Sequence, residues 1–145
     1  MGIFSKLFGG SEPELPMLDA GSDAAKQFEK FKPQVQALVQ KINDRYEAVP
    51  SDKAVYVFLG NPPGMFGIVW FLAGESEEHN LKKLMAKKGL SQRKIDNLMQ
   101  KVKEAYSAEA GTSRYMTEVG GKKVIVIPSF GFADRLYSIL HMMDE

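Results

Sequence analysis

The stretch from Ala54 to Gly74, AVYVFLGNPPGMFGIVWFLAG, contains no charged side chain, although Lys53 and Glu75 border it. A membrane-spanning helix needs about 20 apolar residues, so the length alone fits a membrane span. The central NPPG argues against a helix, because two adjacent prolines lack backbone donors and force the residues before them out of the α region. The flanking runs are rich in β-branched and aromatic residues. The sequence therefore predicts an antiparallel hairpin here.

Both faces of this hairpin are apolar. Val55, Val57 and Leu59 alternate with Tyr56 and Phe58 in the first run, and the second run shows the same pattern. Strands of this kind lie in the middle of a sheet with cover on both sides, or else one face awaits a partner. We expect cover on both sides, because the rest of the chain supplies several amphipathic helices.

The segment before the hairpin has the periodicity of an amphipathic helix. Its apolar residues recur at three- and four-residue steps: Phe28, Phe31, Val35, Leu38, Val39, Ile42 and Tyr46. Ser22 or Asp23 can cap its start, and Pro50 is expected to close its end. Pro33 predicts either a kink or a short helix followed by a longer one.

Two further helices are predicted after the hairpin. Ser76 is the expected N-cap of the first, with acidic residues in its first turn and Gly89 as its stop. Ser91 is the expected cap of the second, which we extend to about Gly111.

A second hairpin and a final helix complete the predicted chain. Two strand-like runs meet at Gly120 and Gly121, a pair suited to a tight turn, and the segment FGFADRLYSILHMMDE follows. The predicted order is α-ββ-αα-ββ-α. Since strands joined by hairpins are antiparallel, we expect an α+β fold with an antiparallel sheet of about four strands and packed helices.

Length and composition predict a single soluble domain. A chain of 145 residues forms one core. We expect residues 1–21 to be a flexible tail and linker, and residues 22–145 to be the α+β domain. The tail has an apolar set of Ile3, Phe4, Leu7 and Phe8 but only one lysine in its first ten positions, so we do not expect it to bind a membrane surface. The absence of cysteine fits a reducing compartment, and we expect a cytoplasmic protein.

Signatures of catalysis and of cofactor binding are missing from the sequence. It has no phosphate-binding loop, dinucleotide fingerprint, HExxH or GxSxG motif. We read its two histidines, His79 and His141, as solvated surface side chains. The run ESEEH, Glu75 to His79, could meet a divalent ion, but helix capping explains the same acids. We therefore expect no metal and no cofactor, and we favour a non-enzymatic protein over an enzyme with an unrecognised site.

The loop between the first two strands is a candidate contact with a partner. It presents Pro62, Pro63, Met65 and Phe66 at one end of the sheet. Proline and glycine are turn residues first, and the other two side chains can fold back on the core. The loop stays a candidate partner-binding site.

Charge is concentrated in one window. Residues 82–103 carry eight basic side chains and one acid, a net charge of +7 in a chain whose total is +1. The candidate anion or nucleic-acid surface consists of Lys82, Lys83, Lys87, Lys88, Arg93, Lys94 and Lys101. The window resembles a helix-turn-helix around Gly89, with the second hairpin in the place of a wing. The match is partial, because Met85 and Lys88 stand where the motif prefers a small and an apolar residue.

No motif in the sequence identifies a function. We expect a binding or adaptor module that acts through a protein partner or through self-association, given its many aromatic and methionine side chains. Nucleic-acid binding by the basic window is the alternative, and a solvated lysine-rich face explains the same charges.

Overall fold

Five helices and six strands are present in residues 15–141, which are the residues that the computed structural model describes. In chain order they are α1 (Asp23–Lys30), α2 (Lys32–Lys41), β1 (Tyr46–Pro50), β2 (Ala54–Gly60), β3 (Phe66–Leu72), β4 (His79–Asn80), α3 (Leu81–Lys88), α4 (Gln92–Ser107), β5 (Tyr115–Val119), β6 (Lys122–Val126) and α5 (Phe130–His141).

The strands form one mixed sheet in the order β4-β3-β2-β1-β6-β5. Neighbouring strands are antiparallel except β1 and β6, which are parallel. The α+β class is confirmed, but the prediction of a four-stranded antiparallel sheet was wrong. Both predicted hairpins are present, as β2–β3 and β5–β6, and β1 joins them into a single sheet.

Strand β1 was missed because its sequence continues the pattern of the helix before it. Tyr46 falls on the apolar stripe of α2, but that helix ends at Lys41 and Ile42 already has an extended backbone, with φ −121° and ψ 120°. All five residues of β1 are buried. Pro50 therefore ends a strand and not a helix, and the parallel pairing with β6 could not follow from hairpins alone.

Helices cover both faces of the sheet, as expected. Val55 and Val57 of β2 pack in one core with α1 and α2, whereas Tyr56 and Phe58 pack in a second core with α4 and α5. This alternation is the period of two that a strand imposes on its side chains. Burying each large apolar side chain contributes about 1.5–3 kcal/mol, so the two cores together explain why the hairpin tolerates no polar face.

Several helix ends lie where the sequence places them. Ser22 caps α1 and Ser91 caps α4, and each hydroxyl accepts a hydrogen bond from a backbone N–H three residues later. The first helical segment is interrupted at Phe31, so a short helix precedes a longer one. Gly89 ends α3 with φ 65°, a left-handed conformation that glycine adopts without steric cost.

The start of α3 differs from the prediction. Its N-cap is Asn80, whose side-chain oxygen accepts a 2.8 Å hydrogen bond from the Lys83 backbone, and not Ser76. The preceding residues cannot begin the helix because His79 and Asn80 pair with β3 as strand β4. Helix α4 also differs from the prediction, because it ends at Ser107, four residues before the expected end at Gly111.

The end of the predicted linker lies along the outer strand β5. Met17 forms a parallel bridge with Met116, and the Leu18 N–H donates a 2.8 Å hydrogen bond to the Met116 carbonyl. Residues 1–14, which include the apolar tail, lie outside the described part of the chain. None of the helices within residues 15–141 is long and apolar enough to cross a membrane.

Candidate functional site

A groove of about 220 Å³ lies between α3 and the C-terminal end of α5. We call it the Trp70 groove. It is lined by Trp70, Leu72, Glu77, His79, Asn80, Lys83, Leu84, Lys87, Lys88, Tyr137, Leu140 and His141. Strands β3 and β4 and helices α3 and α5 all contribute, so the groove depends on the tertiary fold and on no single motif.

Strand pairing builds one side of the groove. Trp70 and His79 are opposite each other across β3 and β4. Side chains of directly opposed residues lie on the same face, and here the two rings stack with centroids 6.0 Å apart and planes 15° apart. The Trp70 side chain is buried, so the imidazole of His79 rests on a fixed aromatic surface.

Helical spacing builds the other side. Tyr137 and His141 are four residues apart on α5 and therefore adjacent on its surface. Their rings stack at 4.2 Å with an interplanar angle of 20°. The Lys53 ammonium lies 4.8 Å from the centroid of the Tyr137 ring, within the range of a cation–π contact.

The groove brings together both histidines of the chain. We expected each imidazole to be a solvated surface side chain, whereas both are partly buried. The side chain of His79 is only 20% exposed, and His141 is partly buried beside Tyr137. Sequence reasoning missed the pair because β4 is two residues long and gives no strand signal of its own.

The structure divides the predicted basic surface into two groups. Lys83, Lys87 and Lys88 line the Trp70 groove. The remaining members lie outside the groove lining, and all four are exposed: Lys82, Arg93, Lys94 and Lys101. Lys101 lines a separate open depression between α4 and α5. The window is therefore continuous in sequence, but only its first helix contributes to the groove.

The helices α3 and α4 do not form a winged helix with the second hairpin. Helix α4 packs Ile95, Leu98 and Val102 toward the interior, where it covers the sheet with α5. The β5–β6 hairpin belongs to the sheet, and a side chain added at Gly120 would contact Gln36 and Val39 of α2. That turn lies beside the helix layer on the opposite face, so it cannot flank α4 as a wing does.

The predicted partner loop lies away from the Trp70 groove. Pro62, Pro63 and Met65 precede β3, whereas Trp70 and Leu72 lie toward its far end. Met65 is 91% exposed, and Phe66 packs against Phe58 with ring centroids 5.5 Å apart. The loop thus presents Pro63 and Met65 to solvent and belongs to a different surface.

A buried charge cluster was also missed by sequence reasoning. Glu47 on β1 is fully buried and forms ion pairs with Arg45 and with Arg114, whose Nε lies 3.5 Å from Oε1. The Tyr106 hydroxyl donates to the same carboxylate. Burial, together with Glu47, raises the pKa of Tyr106. Both carboxylate oxygens of Glu47 have partners, so the cluster links α4 to the sheet.

Comparisons with protein-family models, with curated proteins and with solved structures found no match. A functional interpretation of the chain therefore rests on the Trp70 groove and on the charges around it.

Proposed function

We propose that this protein is a non-enzymatic binding module that holds an acidic segment of a protein partner in the Trp70 groove. One observation carries the proposal: an aromatic surface, two imidazoles and three lysines line the same groove, in which Glu77 is the one acidic residue among those described. An acidic peptide with an apolar or aromatic side chain is complementary to both parts of this surface.

The size of the groove favours a peptide over a cofactor. Pockets for cofactors and drug-sized molecules typically measure about 300–1,000 Å³. A volume of about 220 Å³ accommodates one or two side chains of a segment that lies across the surface. Among residues 15–141, the groove lining contains no serine, threonine or cysteine, so it offers no nucleophile of these three types. The cysteine-free sequence supports a reducing compartment such as the cytoplasm for this module.

The sole tryptophan of the chain gives a direct test, because Trp70 forms part of the groove. We would titrate the protein with a short peptide of Glu and Phe and record tryptophan fluorescence. The expected result is a saturable change that the same peptide with Lys in place of Glu does not produce.

Two matched triple variants locate the binding surface. Lys83→Gln, Lys87→Gln and Lys88→Gln together remove the lysines of the groove lining. The control changes three lysines outside the lining, Lys82, Lys94 and Lys101, to Gln. A surface ion pair contributes about 0.2–1 kcal/mol, so the first variant should bind the acidic peptide about tenfold more weakly and the control should bind normally. Equal affinities of the two variants would reject the groove as the binding site.

Nucleic-acid binding is the second candidate function. It is favoured by the exposure of Arg93, Lys94 and Lys101, which extend the positive surface from α3 along α4. A salt series with mixed-sequence DNA and RNA tests it, since affinity should fall log-linearly with salt concentration. Here the control triple variant should lose affinity and salt dependence. Self-association is tested separately by sedimentation over a range of protein concentrations.

A further inference from the structure

Three potential metal ligands alternate along the segment that leads into β4. Glu75, Glu77 and His79 each offer one donor atom, and these atoms all lie within 4.8 Å of one another. The pattern Glu-x-Glu-x-His therefore directs two carboxylates and one imidazole toward a common point.

The structure removes the explanation that helix capping gives for these acids. Helix α3 begins at Leu81, is capped by Asn80 and has no acidic residue in its first turn. Glu78 has a separate partner, because the Lys41 ammonium donates a 2.5 Å hydrogen bond to its carboxylate. Within residues 15–141, no lysine or arginine forms an ion pair with Glu75 or Glu77.

The donors are also held in place by the surrounding fold. The His79 ring is stacked on Trp70, and its Nε2 lies 3.2 Å from Oε1 of Glu75. Two ligands of a tetrahedral zinc ion, each at about 2.0–2.1 Å, are about 3.4 Å apart, so this pair already has a suitable separation. The Gln34 side chain donates a 3.1 Å hydrogen bond to the Glu75 carbonyl and ties down the start of the segment.

We propose that Glu75, Glu77 and His79 bind a divalent transition-metal ion, with Zn²⁺ as the preferred ion. One imidazole and two carboxylates form a three-ligand zinc set that leaves a coordination position for water or another ligand. Glu77 and His79 also line the Trp70 groove, so that position lies at the edge of the groove.

The choice of ion follows from the donor set. Calcium and magnesium prefer oxygen ligands only, whereas imidazole favours zinc and its neighbours. Lys83 and Lys87 also line the groove beside Glu77 and His79. These cations oppose Zn²⁺, Mg²⁺ and Ca²⁺ alike, so the imidazole donor carries the preference, and Mg²⁺ and Ca²⁺ should bind far more weakly than Zn²⁺.

Isothermal titration calorimetry of the full chain with zinc chloride tests the site, with magnesium chloride as the comparison ion. We expect one zinc ion per chain. Removal of an outer-shell partner alone costs about 10–100-fold in metal affinity, so His79→Ala and Glu77→Gln, which remove direct ligands, should lose at least that much. Circular dichroism melts in EDTA check that each variant is folded.

Two control variants decide the assignment. Glu78→Gln changes the neighbouring acid that binds Lys41, and His141→Ala removes the other histidine of the groove. Both should bind zinc like the wild type. The proposal is overturned if the wild type binds no zinc, if His79→Ala and Glu77→Gln keep full affinity, or if His141→Ala loses it. The peptide titration is run in EDTA, so failure of one proposal leaves the other intact.

Discussion

The Tyr106 hydroxyl donates its one proton to the carboxylate of Glu47, whose two oxygens lie 2.8 and 3.0 Å away, although the residues are 59 positions apart in the chain. This contact joins the end of α4 to the central strand β1. Glu47 is completely buried, and an ionised carboxylate is costly to remove from water unless charged partners replace its hydration. Arg45 and Arg114 supply that compensation.

Removal of the Glu47 charge should destabilise the fold strongly. Glu47→Gln keeps the shape of the side chain, but it leaves Arg45 and Arg114 without a buried counter-charge. Breaking one side of a buried ion pair typically costs about 3–5 kcal/mol. Because both arginines are partly exposed, we expect a loss near the lower end, about 3 kcal/mol, in urea unfolding followed by circular dichroism.

Glu118→Gln is the matched control for this measurement. Glu118 is an exposed residue of β5, and surface substitutions usually change stability by less than about 0.5 kcal/mol. If Glu47→Gln and Glu118→Gln unfold at the same urea concentration, the charge cluster does not stabilise the fold.

Two tyrosine-to-phenylalanine substitutions should have opposite effects. Tyr106→Phe removes a hydrogen bond to a charged acceptor, so we expect a loss of about 1.5 kcal/mol or more. The Tyr56 hydroxyl is buried and has no hydrogen-bond partner among the described residues. Tyr56→Phe removes this unsatisfied group and should leave stability unchanged or raise it by about 1 kcal/mol. Urea unfolding of both variants checks the signs, and a loss in Tyr56→Phe as large as that in Tyr106→Phe would contradict this reasoning.

Stability should fall in alkaline solution, partly because of Tyr106. Burial and the nearby Glu47 carboxylate raise the pKa of its phenol in the folded protein. The unfolded chain ionises its tyrosines near pH 10, while the folded protein keeps this proton. Above that pH the unfolded state binds fewer protons, so the free energy of unfolding decreases as pH rises.

A comparison of wild type with Tyr106→Phe shows whether Tyr106 causes this decrease in the free energy of unfolding. Unfolding free energies of wild type and Tyr106→Phe should run parallel below about pH 9 and converge above about pH 10, since only the wild type has the shifted group. Lysines titrate in the same range in both proteins and cancel in the difference. Curves that stay parallel up to pH 11 would show that Tyr106 does not contribute.

Local signals predicted much of the secondary structure and little of the site. Ser22, Gly89 and Ser91 act through neighbouring residues, so the sequence was sufficient to place three helix ends. The stacked pair of Trp70 and His79 depends on the pairing of β3 with a two-residue strand, which no periodicity reveals. The Trp70 groove requires β4, and the Glu47 cluster requires β1. Sequence reasoning missed both strands.

Helix α3, which forms one side of the Trp70 groove, should be less protected from amide hydrogen exchange than α4. None of the eight residues of α3 is fully buried, whereas α4 buries Ile95, Leu98, Val102, Ala105 and Tyr106. Segments with few buried contacts open at low free energy, so amide hydrogens of α3 should exchange at least about tenfold faster than those in the middle of α4. Hydrogen exchange followed by mass spectrometry measures this difference.

Zinc or the acidic peptide should slow exchange in α3 and leave α4 unchanged, because both ligands bind beside α3. Equal protection of the two helices in the free protein would mean that the groove is rigid before any ligand arrives.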